Sequence, residues 1–70
     1  MSESIYKVIE LVGSSEKSWE DAAKKAVERA ARTLEDLRVA EVSTMDMKIQ
    51  EGKVVAYRTK VKLSFRFKEI

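Results

Sequence analysis

The run from residue 54 to 68 alternates between apolar and charged side chains more strictly than any other part of the chain. Val55, Tyr57, Val61, Leu63, Phe65 and Phe67 share one parity with Thr59, while Arg58, Lys60, Lys62, Arg66 and Lys68 occupy the other. A period of two held over this distance marks a long strand with one covered face. The remaining residues must therefore supply partner strands and an apolar layer.

They must do so with few means. Seventy residues bury only about 60% of the surface of the unfolded chain, and the chain has no Cys, His or Pro. Disulfides and Cys/His metal sites are excluded, which leaves close packing or burial between subunits as the sources of stability. Self-assembly is expected. The same absences remove imidazole bases and thiol nucleophiles, and the serines have no credible base, so no enzymatic activity is expected.

Residues 5–12 are rich in β-branched and apolar types on both parities, which predicts a first strand covered on both sides, by a helix and by a neighbouring subunit. Residues 13–17 read as a loop, with Gly13 in a turn. Ser18 is a helix N-cap, Asp21 stands where the capping-box acid belongs, and Glu20 adds negative charge to the first turn. From Trp19 to Leu37 apolar residues recur every three or four positions, predicting a one-sided helix of about five turns whose buried face is mostly alanine. Trp19 is expected to be a hydrophobic anchor.

Beyond Leu37 the apolar parity changes: Ala40 and Val42 are even, whereas Val39, Met45, Met47 and Ile49 are odd. This predicts a long curved second strand that either contacts something on both faces near its start or bends around Ser43. A three-residue loop over Glu51, Gly52 and Lys53 would pair Ile49 with Val55 and Met47 with Tyr57, keeping apolar groups opposite each other. It would also set Asp46 opposite Arg58. The result is an α+β chain of order β-α-β-β, a three-stranded antiparallel sheet packed on one helix, read as a single domain over residues 1–70.

Charge is unevenly spread: residues 1–52 hold eight basic and eleven acidic groups, whereas residues 53–70 hold six basic and one acidic. The aromatics of the last strand lie on the parity opposite its basic residues, so they do not form a base-stacking platform, and no nucleic-acid partner is expected. The acidic pairs Glu20/Asp21, Glu35/Asp36 and Glu41/Asp46 lack the dense loop spacing of an EF-hand. A calcium site shared between subunits stays open, with no ligands assigned. The N-terminal residues form neither a signal peptide nor a membrane span, which gives a soluble cytoplasmic protein as the expectation.

The order and residues resemble the dodecin family over essentially the whole chain. The matching pieces are Tyr6-Lys7-Val8-Ile9-Glu10-Leu11-Val12-Gly13-Ser14-Ser15, Ser18-Trp19-Glu20-Asp21-Ala22-Ala23, Ala30-Ala31-Arg32-Thr33-Leu34, Glu41-Val42 and Val61-Lys62-Leu63-Ser64-Phe65-Arg66. The resemblance implies a hollow homododecamer that holds paired flavins, each ring stacked on a tryptophan at the start of the second strand and hydrogen-bonded by a glutamine of the third. Val39 falls at the tryptophan position, Arg58 at the glutamine, and Asp46 where an arginine commonly meets a ligand phosphate. These three cofactor-binding positions are thus expected to be degenerate, since the stacking surface is gone and Asp46 repels a phosphate. The expected function is small-ligand binding, storage or a structural role in a homododecamer, with no cofactor assigned. The alternatives are a dodecin that stores riboflavin or FMN, and a calcium-binding dodecin-like protein.

Overall fold

The computed structural model describes residues 5–66, so Phe67 and Lys68 of the expected last strand lie outside the described residues. The elements are β1 (Tyr6–Ser15), α1 (Trp19–Ala30), β2 (Leu37–Gln50) and β3 (Lys53–Arg66). They form one antiparallel sheet in the order β1-β3-β2, with the alternating C-terminal strand in the centre. Among the described residues no helix is long and apolar enough to cross a membrane.

Parity assigns the two faces of the sheet. Odd positions of β1 and β3 turn toward α1: Val61 and Leu63 are buried with Ala26 and Ala30, and Ile9, Leu11 and Leu37 pack around them. Even positions form the far face, where Val8 and Val12 remain 55% and 56% exposed. Alanine lines the contact at Ala22, Ala26 and Ala30, allowing the helix to lie close to the strands. Gly13 is part of that contact and makes no turn. It sits inside β1 opposite Thr59, and a Cβ there would lie 2.1 Å from the Ala22 carbonyl oxygen. The expected loop at 13–17 begins only after Ser15 because β1 needs those extra residues to run beneath the first turn of α1.

The helix is shorter than its apolar periodicity suggests. It stops at Ala30, and the Thr33 and Leu34 N–H groups both donate to the Ala30 carbonyl, at 3.1 and 2.9 Å. Asp36 then adopts a left-handed φ of 61°, and Leu37 pairs with Phe65. Leu34 and Leu37 still reach the core, but from a turn and a strand. Ladder formation with β3 has overridden the helical pattern.

β2 changes parity through bulges. The register passes from Val42↔Val61 to Thr44↔Lys60, leaving Ser43 as the extra residue, and its hydroxyl donates to the Lys60 carbonyl at 3.1 Å. Even Ala40 and Val42 and odd Met45 and Met47 thus lie on the helix side of the sheet, opposite Leu63, Val61, Thr59 and Tyr57 respectively. The bend at Ser43, one of the two expected alternatives, is present. The β2–β3 connection departs from expectation: Glu51 and Gly52 form a two-residue turn with φ of 51° and 77°, the positive values a type I′ turn requires. Ile49 pairs with Val54, and Val55 is bulged out, so a bulge corrects the parity that a longer loop was expected to correct.

Candidate functional site

Asp46 and Arg58 stand directly opposite each other on the far face of the β2–β3 hairpin. Arg58 donates from Nε to Asp46 Oδ1 and from Nη2 to Oδ2, both at 2.7 Å, a two-pronged pair on exposed side chains. The two hydrogen bonds from Arg58 hold the Asp46 carboxyl below its ordinary range and raise the already high value of the guanidinium. Each group thereby uses its strongest hydrogen-bonding atoms on the other.

Beneath this pair lies Trp19, the first residue of α1. Its indole N–H donates to the Asp46 carbonyl at 2.9 Å, and its ring meets Tyr57 edge-on, with centroids 5.0 Å apart and planes at 68°. The buried Thr59 hydroxyl donates to the Trp19 carbonyl at 2.9 Å. The anchor role expected of Trp19 is realised, and it fixes the backbone carrying Asp46. Sequence periodicity gave no sign of this link, because a side chain reaching a backbone carbonyl 27 residues away leaves no pattern.

The helix start is fastened similarly. Ser18 accepts from the Asp21 N–H at 2.9 Å, as an N-cap should. Asp21, however, does not close a capping box. Its carboxylate accepts from the Ser15 hydroxyl at 2.6 Å and lies 3.1 Å from Lys25 Nζ, and these two contacts, Ser15 first, hold its pKa below the usual carboxylate range. Ser15 continues the odd parity of Ile9, Leu11 and Gly13 and so faces the helix; extending that parity past residue 12 was the signal that could have found it.

Val39 sits elsewhere. It pairs with Ser64 near the other end of β2, six β3 residues from Arg58, which is about 20 Å along a strand. One chain therefore does not bring Val39, Asp46 and Arg58 together. Val39 is 60% exposed and borders a cavity of about 190 Å³, whose apolar wall includes Val27, Leu37 and Leu63. For a flavin these positions fit poorly: Val39 presents no aromatic plane, and Arg58 is already bonded through both prongs to Asp46. Among the described residues no three acidic side chains of one chain gather into a metal-binding group.

The basic parity of β3 does not stand alone on the far face. The register places Glu10, Lys62 and Glu41 in one row across the sheet and Ser14, Arg58 and Asp46 in another, so carboxylates flank the basic strand. A surface of this kind is of mixed sign, unlike a continuous phosphate-binding stripe.

Comparison with known proteins agrees with this architecture. The chain is 43% identical to calcium dodecin from Mycobacterium tuberculosis over 93% of its length and 92% of the relative's, and 38% identical to dodecin from Thermus thermophilus over 93% and 94%. Its fold matches the structure of dodecin from Streptomyces coelicolor with a TM-score of 0.91 at 37% identity, covering 100% of both chains. The family model for dodecin matches residues 5–68, and with relatives aligned over nearly their full lengths this makes the chain a member of the dodecin family.

Proposed function

We propose that this protein is a non-catalytic, homododecameric small-ligand binder, built from one domain per chain, in which calcium takes the place that flavin has in other dodecins. The observation that carries this reading is the closed Asp46–Arg58 pair, which leaves the two polar flavin positions satisfied by each other. The likeness to calcium dodecin, whose crystal structure is described as having a novel calcium-binding site, supports the choice of ion. Calcium prefers six to eight oxygen ligands. With no group of three acidic residues within one chain among those described, its ligands would come from more than one subunit.

The test is a pair of titrations on the assembled protein, calcium by calorimetry and riboflavin, which carries no phosphate, by fluorescence quenching. Saturable calcium binding with no micromolar riboflavin quenching is expected. The reverse pattern would overturn the calcium reading in favour of flavin storage, the second reading, which the apolar cavity beside Val39 supports. Sedimentation should return a mass about twelve times 8.0 kDa, and a monomer mass would refute the assembly.

A further inference from the structure

β1 ends at Ser15, opposite Tyr57, but the hairpin continues, so among the described residues of one chain β3 residues 53–56 have β2 on one side and no strand on the other. The shortfall leaves a notch of about 590 Å³ beside the helix start, within the usual size of small-molecule sites. Three lysines from three separate segments line it: Lys17 before α1, Lys25 on α1 and Lys48 on β2. Glu16 is the one acidic residue in its lining. Among the described residues Lys17 and Lys48 make no salt bridge, and Lys25 spends one contact on Asp21 while its ammonium carries two further N–H donors. Ser14 and Gln50 add neutral hydrogen-bonding groups, and the open edge of β3 adds backbone polar groups.

This differs from the Lys62 and Arg58 rows of the far face, which carboxylates flank. Here three lysines border a concave space, against Glu16 in the lining and the Asp21 carboxylate that pairs with Lys25. We infer that the notch is a second binding site, separate from Val39, Asp46 and Arg58, and that it takes a small molecule bearing a phosphate group. A phosphate monoester carries close to two negative charges at neutral pH and would meet Lys17 and Lys48, the two lysines of the lining that make no salt bridge among the described residues, and lysine meets phosphate as a mobile point charge without a fixed fork geometry. The volume leaves room for an organic group beyond the phosphate, against Val55 and Ala56.

The experiment is calorimetric titration of the whole assembled protein with adenosine 5′-monophosphate and, separately, inorganic pyrophosphate at low ionic strength. Saturable binding is expected for both, with the nucleotide tighter if the organic group is held as well. The Lys17→Gln/Lys48→Gln variant should bind at least about tenfold more weakly, the loss of one or more charge-assisted hydrogen bonds, whereas Lys17→Arg/Lys48→Arg retains binding and controls for folding. Binding should also weaken with added salt. Equal affinity in the parent and the Gln/Gln variant, or no saturable binding of either probe, would overturn the site. So would a change in sedimentation mass caused by Lys17→Gln/Lys48→Gln without ligand, because the lysines would then belong to a subunit contact. None of these results depends on calcium or flavin, so this site and the proposed function can fail separately.

Discussion

Replacing Gly13 with alanine tests whether the helix is seated by space or by backbone conformation. The added Cβ would lie 2.1 Å from the Ala22 carbonyl oxygen, 2.9 Å from its carbon and 3.1 Å from the Ala26 Cβ. Two of these atoms belong to the helix backbone and cannot rotate away, so α1 must retreat from β1 by about 1 Å, enough to forfeit a quarter to a half of each contact well it loosens. Overpacking of this kind costs about 1–3 kcal/mol, and a backbone obstacle puts this site near the upper end. Alanine also reduces the freedom of the unfolded chain, which offsets about 0.4–1 kcal/mol where the native backbone suits it. Gly13 is not among the residues with positive φ, so that offset applies and about 2 kcal/mol of destabilisation remains. For a chain of this size that lowers Tm by about 8–16 °C. Thermal unfolding followed by circular dichroism, at matched concentration because assembly shifts Tm, would measure it. A Gly13→Ala protein melting at or above the parent temperature would refute the packing argument. Gly52 is the contrast: nothing lies within 4 Å of its Cβ position, but its φ is +77°, so Gly52→Ala should be destabilising through strain alone and Gly52→Asn much less so.

The Asp46–Arg58 pair predicts favourable coupling in a double-mutant cycle with Asp46→Asn and Arg58→Gln, measured by urea unfolding and shrinking as salt is added; zero coupling at low salt would contradict the geometry. The contacts of Asp21 with Ser15 and Lys25, and of Asp46 with Arg58, hold both carboxyl pKa values below the ordinary aspartate range, so the unfolded chain binds protons more readily than the folded one as pH falls through that range. Their stabilisation is complete above about pH 4 and is lost at lower pH. Asp21→Asn should flatten the acid limb of a stability–pH curve, and an unchanged limb would argue against the Ser15 and Lys25 contacts. Trp19→Phe removes the indole donor to the Asp46 carbonyl while keeping an aromatic ring beside Tyr57, and it is expected to raise amide exchange along the middle of β2; unchanged protection there would sever the proposed link between anchor and site.

Much of this fold is legible in the sequence, and the departures have physical causes. Alternation in β3 and the parity change around Ser43 are one-dimensional signatures of a covered strand and a bulge, and both are present in the fold. The helix was read too long because Leu34 and Leu37 do belong to the core; periodicity records that a residue is buried and is silent on which element delivers it. The turn at Glu51 and Gly52 differs from the expected three-residue loop because face matching has two solutions, a longer loop or a bulge, and nothing in the residue pattern separates them. Gly13 suggests a turn in the sequence because a missing side chain looks the same whether it serves conformation or clearance. At the site, strand register was enough to set Asp46 against Arg58, since both lie on one hairpin. The separation from Val39, the Trp19 bond to the Asp46 backbone and the lysine notch all depend on where elements end and on contacts between distant segments.

The order of the sheet has a consequence for how the protein is made. β1 and α1 emerge first during synthesis, yet β1 has no strand partner until β3, the last element, has been completed. Vectorial folding is therefore unavailable to this chain: the N-terminal strand waits with its hydrogen-bonding edge open, and the helix has only half of its floor. The sheet closes in one late step, when the C-terminal strand slides between two strands already made. Such non-local pairing is slow relative to helix formation and to closure of the local β2–β3 hairpin at the Glu51–Gly52 turn, so the β1–β3 step sets how long each new chain remains open to the wrong partner.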